Sequence, residues 1–192
     1  MLQFSDGSCF FVSEADLRGE DISALELVPD LELSELVIQR LKDTAMRRQA
    51  REKALDLLAR APHTTFSLRM KLLKRDFDAR LVEEVLEFLT NREYLDDRSY
   101  ADNWLRTRCE QRPEGRTLLL AGLLRKGVGR EIAEAAVNRY LTPGMEQENA
   151  VRALEKLTRS GETDPVRLMK KLKARGFPFP LIRRLVEERR ET

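Results

Sequence analysis

Two adjacent carboxylates, Asp96 and Asp97, and a single histidine, His63, are the residues of this chain most easily taken for catalytic groups. Neighbouring side chains at a turn diverge, so the two aspartates do not converge on one substrate atom. Either can instead accept free backbone N–H groups where a helix begins near Arg98. His63 follows Pro62 at a helix breaker and has no Cys or second His nearby, which places it in a loop and not at a metal. Cys9 and Cys109 fit no metal or redox spacing, and a reduced thiol is the simplest state for each. No glycine-rich phosphate loop is present. No catalytic residue, metal ligand or cofactor is expected, and the chemistry left to the chain is recognition through charge.

That charge is unevenly spread. Residues 1–48 carry 5 basic and 10 acidic side chains, and residues 49–192 carry 30 and 23, so a net −5 is followed by a net +7. The densest excess is terminal, with nine Lys or Arg against three Glu from Val166 to Thr192. Lys74 and Arg75 recur as Arg125 and Lys126, and then as Arg175 alone. Lys170, Lys171, Lys173, Arg183 and Arg184 add to the last of these clusters, and Arg189 and Arg190 extend it. Such residues can face DNA phosphate or an acidic protein groove. Cations in a last helical turn also complement the helix dipole, by about 0.3–1 kcal/mol each, and the two roles are compatible.

The elements that must position these residues form a repeat with a period of about fifty residues. The segments KLLKRDFDARLVEEVLEFL, GLLRKGVGREIAEAAVNRYL and KKLKARGFPFPLIRRLVEERR superpose when Phe77, Val128 and Phe177 are aligned. Leu68, Leu119 and Leu168 precede the anchors by nine residues, and Leu72, Leu123 and Leu172 precede them by five. After the anchors come Leu81, Val85 and Leu86; Ile132, Ala136 and Val137; and Leu181, Leu185 and Val186. Both sets have helical spacing, so each copy holds two amphipathic helices behind a third. Tyr100, Trp104 and Phe88 share that spacing with Leu residues and read as helix core, not as base-stacking groups.

Breakers fall at matching points. Pro62, then Pro113 with Gly115, then Gly161 with Pro165 separate the first and second helices of the units. Asp164 before Pro165 is a helix start. Gly127 and Gly176 suit the left-handed residue that closes a helix, with Asp76 at that place in the first copy. Upstream, Gln3–Ser5 and Cys9–Val12 read as a short hairpin, Ser13 as an N-cap, and Ser34 as the cap of a long helix reaching Pro62. The expected fold is all-α: three three-helix repeats over 49–97, 98–144 and 145–192, elongated and curved, after an N-terminal extension over 1–48. No run approaches the ~20 apolar residues of a membrane span, and the N-terminus lacks signal-peptide character. A cytoplasmic location is expected.

The run EYLDDRSYADNWLRTRCEQRPEGRTLLLAGLLRKGV, from Glu93 to Val128, resembles the signature of the RecX family through Tyr94, Leu95, Asp96, Asp97, Tyr100, Ala101, Gly115, Leu123, Leu124, Lys126 and Gly127. ALDLLARAPHTTFSLRMKLLKRDF resembles the family's first repeat, but Thr64, Thr65 and Ser67 stand where an acidic residue is usual, which leaves the helix cap there to be identified. The resemblance covers about residues 50–192. It implies a non-enzymatic regulator of DNA repair, homologous recombination and the SOS response. Such a protein binds RecA and the RecA–DNA filament, lodges in the filament groove, and restrains ATPase, strand exchange and co-protease activity. With the charge pattern above, the cations expected to meet RecA or DNA phosphate are Lys74, Arg75, Arg125, Lys126, Lys170, Lys171, Lys173, Arg175, Arg183 and Arg184, and a monomer is expected. The alternative is direct DNA binding through helix-turn-helix-like units, with only weak binding to bare single- or double-stranded DNA under the first reading. A helical adaptor for another protein is a third.

Overall fold

The computed structural model describes residues 35–189 and, as backbone only, residues 2–3 and 9–10. Nine helices lie among the described residues: α1 (Glu35–Arg60), α2 (Thr65–Leu73), α3 (Ala79–Asn91), α4 (Asp97–Gln111), α5 (Arg116–Arg125), α6 (Arg130–Tyr140), α7 (Pro143–Arg159), α8 (Pro165–Ala174) and α9 (Phe179–Glu188). They fall into three sets of three. Strands β1 (Leu2–Gln3) and β2 (Cys9–Phe10) pair antiparallel. The turn expected between them, the cap at Ser13 and the cap at Ser34 lie outside the described residues.

Most of the aligned apolar positions are core; Phe77, Leu81, Ile132 and Leu181 are only half-buried. Leu68, Leu119 and Leu168 are at most 2% exposed, and Leu72, Leu123 and Leu172 are fully buried. Five residues past each anchor, Val82, Ala133 and Ile182 are also fully buried, a position that the sequence pattern did not single out. Each fills the inner face of a third helix between the residues four and eight past the anchor, as a 3.6-residue period requires. The helices close as the glycine pattern implies: Gly127 and Gly176 have φ of 84° and 85°, and Asp76 takes the same left-handed place at 62°.

The chain divides into two compact units, and the division falls inside α2. The first holds α1, the end of α2 from Arg69, and α3. Its α1, about 39 Å long at 1.5 Å per residue, buries Leu41, Ala45, Ala50, Ala54 and Leu57. Arg47 Nε meets Glu84 Oε2 at 3.1 Å, Arg69 Nη2 meets Glu83 Oε2 at 2.6 Å, and the Arg51 guanidinium lies 4.2 Å from the centre of the Phe88 ring. These contacts keep α1 and α2 against α3.

The second unit holds Pro62–Leu68 and everything from Arg92 on. Two separate apolar clusters occupy it. One is built from α4, α5 and α6 around Leu105, Leu119, Leu123 and Val137, with Tyr100 and Trp104 packed at its edge. The other is built from α7, α8 and α9 around Leu157, Leu172, Phe177 and Ile182.

Candidate functional site: a repeated joint and the cations around it

Each second helix needs its first free N–H groups satisfied, and the three copies do this in two ways. At α2, Thr64 Oγ1 accepts the Ser67 amide and Ser67 Oγ accepts the Thr64 amide, both at 3.0 Å. This reciprocal cap supplies the start of α2, with Ser67 doing what an acid would do at that position. His63 Nδ1 stands 3.3 Å from the Ser67 hydroxyl, in the loop expected for it.

A further donor of α2 and the Thr64 hydroxyl are met from the next repeat. The Thr65 amide donates to Asp97 Oδ1 at 2.8 Å, and the Thr64 hydroxyl donates to the Lys126 carbonyl at 2.7 Å. One repeat later the same positions meet again. The Arg116 amide donates to Glu146 Oε1 at 2.9 Å, and the Gly115 amide donates to the Arg175 carbonyl at 2.9 Å. Thr64 and Gly115 precede their anchors by thirteen residues, and Lys126 and Arg175 precede theirs by two, so one joint is used twice.

Asp96 and Asp97 therefore have different tasks. Asp96 caps its own helix, α4, accepting the Arg98 amide at 2.8 Å and the Ser99 hydroxyl at 2.6 Å. The Ser99 bond, ahead of the amide bonds, holds the Asp96 carboxyl below the usual carboxylate range. Asp97 caps α2 from outside. In the sequence the two read as interchangeable caps of one helix.

The second joint is tight. A Cβ on Gly115 would lie 2.5 Å from the Gly176 carbonyl carbon and oxygen, and a Cβ on Gly176 would come closer still to the Leu118 amide. Arg116 completes it, bonding Asn138 and the Leu141 carbonyl while its Nε stands 3.9 Å from Glu146. Beside it Arg108 grips the buried Glu114 through two bonds of 2.9 and 2.8 Å. Burial pushes the Cys109 thiol up, with Asn149 pulling the other way.

Of the cations singled out in the sequence, Arg125, Lys126 and Arg175 stand at these joints. Arg125 ends α5, and Lys126 and Arg175 cap α5 and α8 with their backbone amides while their carbonyls accept the joint bonds. Their side chains point to a surface: Arg125 and Lys126 are exposed and Arg175 is half-buried. On α8, Lys171 is tied to Glu162 at 2.6 Å, whereas Lys170 and Lys173 are exposed with no partner among the described residues. On α9, Arg183 pairs with Glu187 at 2.8 Å, and Arg184 reaches Gln147 at 2.8 Å and Glu188 at 3.9 Å. Lys74 and Arg75 follow α2 in the first unit, both exposed, with Arg75 turned back onto the Lys71 carbonyl at 2.7 Å. Tyr100, Trp104 and Phe88 are half-buried, in keeping with a packing role.

A cluster that the sequence pattern did not bring out is Arg152, Lys156 and Arg159 on α7. Their spacing is visible in the chain, but no counterpart recurs in the other copies to draw attention to it. Among the described residues no group of three or more His, Cys, Asp or Glu is placed to hold a metal, and no helix is long and apolar enough to cross a membrane.

Known proteins agree with this architecture. The model of the first RecX three-helix domain matches residues 50–89 and that of the second matches 96–137. A regulatory protein RecX of Treponema pallidum is 40% identical over 131 residues, 68% of this chain and 79% of that one. Another, from Chlorobium limicola, is 30% identical over 141 residues, 73% of this chain and 89% of that one. The fold matches a crystal structure of a regulatory protein RecX with a TM-score of 0.77, at 24% identity over 92% of this chain and 86% of that one. It also matches RecX from Lactobacillus salivarius with a TM-score of 0.68, at 24% identity over 74% and 96%. With its two matched domains, its relatives at 30–40% identity and the three-helix units that they share, the chain belongs to the RecX family of regulatory proteins.

Proposed function

We propose that this protein binds RecA and the RecA filament on DNA, lodges in the filament groove, and inhibits ATP hydrolysis, strand exchange and co-protease activity. Membership of the RecX family carries this reading. The architecture supports it in a second way: capped three-helix units joined by polar contacts leave their charged outer faces free for a partner, and several weak contacts on one chain add to high avidity. Lys170 and Lys173 are well placed for such a role, being exposed and unpaired among the described residues, as are Lys74, Arg125 and Lys126. Arg125, Lys126, Lys171, Arg175, Arg183 and Arg184 would extend that surface in the second unit, and Lys74 and Arg75 supply one in the first. The protein would act in the cytoplasm as a monomer and without catalysis of its own.

The test is ATP hydrolysis by RecA on single-stranded DNA with increasing amounts of this protein. Turnover should fall, and unchanged turnover at excess protein would overturn the reading. Reversing charge at Lys170, Lys171 and Lys173 together should weaken inhibition. Full inhibition by a folded triple variant would remove α8 from the contact.

A further inference from the structure

Between the end of α4 and the outer face of α7 lies a surface hollow of about 380 Å³, lined by Gln111, Pro113, Arg152, Glu155, Lys156 and Arg159. We infer that this hollow is a binding site for the phosphodiester backbone of a nucleic-acid strand, an assignment that goes beyond the RecA reading and does not depend on it.

Three cations face one carboxylate there. Arg152, Lys156 and Arg159 follow one another at four and three residues, so they share one face of α7. Together they span about 10 Å along the helix axis at 1.5 Å per residue. Their long, flexible side chains fan out from that stretch, so together they can reach successive phosphates of one strand. None is committed elsewhere. Lys156 is exposed and has no partner among the described residues. Arg159 holds Glu155 at 3.1 Å, but their side chains are 80% and 54% exposed, and such a pair is worth little in water. Arg152 reaches the Glu110 carbonyl at 3.5 Å, the outer limit of a hydrogen bond. The helix dipole accounts for Lys156 and Arg159, which stand in the last turn of α7, but not for Arg152, which stands two turns from its end.

The lining also separates a phosphate strand from an acidic protein segment. Protein partners anchor on exposed aromatic or aliphatic side chains that become fully buried. The exposed large hydrophobic residues of the described chain, Leu36, Leu55, Phe66, Met70, Tyr94, Val166 and Phe179, are absent from this hollow, whose one apolar wall is the buried Pro113. A polar, wet and cationic lining is what phosphate contacts use.

The experiment measures binding of a labelled oligothymidylate to the full chain by fluorescence anisotropy across a salt series, with no RecA present. Replacing Arg152, Lys156 and Arg159 by Gln should weaken binding at least about tenfold and flatten the plot of log affinity against log salt by about two, at about 0.7 for each phosphate no longer neutralised. The pair Lys156→Gln with Arg159→Gln leaves Arg152 in place, and should flatten the slope by about 1.4 if the triple variant fails to fold. Wild-type protein that ignores the oligonucleotide, or folded variants with unchanged affinity and slope, would overturn the assignment. So would an equal loss from Arg130→Gln, an exposed arginine outside the hollow. Displacement of the oligonucleotide by inorganic phosphate or polyglutamate at matched ionic strength and matched charge concentration would overturn it in favour of a lone anion or an acidic chain. A hollow variant that loses oligonucleotide binding but still slows RecA would leave the two proposals separately decided, since the RecA reading fails only on ATP turnover.

Discussion

The N-termini of α5 and α8 occupy the same place in consecutive repeats and solve the same problem differently. At α5, Gly115 has no side chain to offer, and the first amide of the helix waits for Glu146 from thirty residues on. At α8, Asp164 accepts the amides of Val166 and Arg167 at 2.8 and 3.4 Å from its own carboxylate, and Pro165 stands where Arg116 does, with no N–H to satisfy. The middle unit borrows an acid from the next repeat, and the last described unit supplies its own.

That contrast can be broken at several points. The largest effect is expected where the joint has no room. Gly115→Ala or Gly176→Ala should cost about 2–4 kcal/mol, since each Cβ meets backbone and Gly176 adds a left-handed φ. Gly161 has a φ of 90° but nothing within 4 Å of its Cβ, so Gly161→Ala should cost only about 1–2 kcal/mol when all three variants are unfolded in urea. Equal losses at Gly161 and Gly176 would show that conformation alone, and not close approach, makes the joint.

Glu146→Ala comes next, at about 1–3 kcal/mol, because it strips a buried carboxylate from the Arg116 amide and leaves that donor unsatisfied. Asp97→Ala should cost a similar amount if the two joints are equivalent. A loss at one acid without the other would separate them. Asp164→Ala, which removes a cap open to water, should cost about 1 kcal/mol, and it should not couple to any residue of the preceding repeats in a double-mutant cycle.

The smallest effect is one of pH. The Asp96 carboxyl is held below its ordinary value by Ser99 and two amides, so the folded state favours the ionised form. Its contribution is complete above the unfolded value of about 3.9 and disappears as pH falls through the lower folded value. Melting temperature should therefore fall less steeply between about pH 5 and pH 3 in Asp96→Asn than in the wild type. Identical profiles would mean that the cap acts without its charge.

Much of the fold was legible in the chain. The period, the three sets of apolar positions, the left-handed sites at Asp76, Gly127 and Gly176 and the cap at Asp164 all follow from residues within one helical turn or at fixed offsets. The candidate surface was less so. Lys170, Lys171 and Lys173 look alike in a sequence, yet only Lys171 finds a carboxylate, because Glu162 lies in the loop that folds back beside it. Asp96 and Asp97 look like one feature, yet they cap different helices. Arg152, Lys156 and Arg159 drew no attention until the end of α4 came down beside them.

The sequence by itself determined most of what the second and third helices bury, where most of them stop, and that the pattern is used three times, because burial periodicity and helix-closing turns are short-range. Only the tertiary structure decided which acid caps which helix and which cations stay free. Those choices join residues thirty or more positions apart, such as Thr65 with Asp97 and Arg116 with Glu146, and they exist only once neighbouring cores have packed.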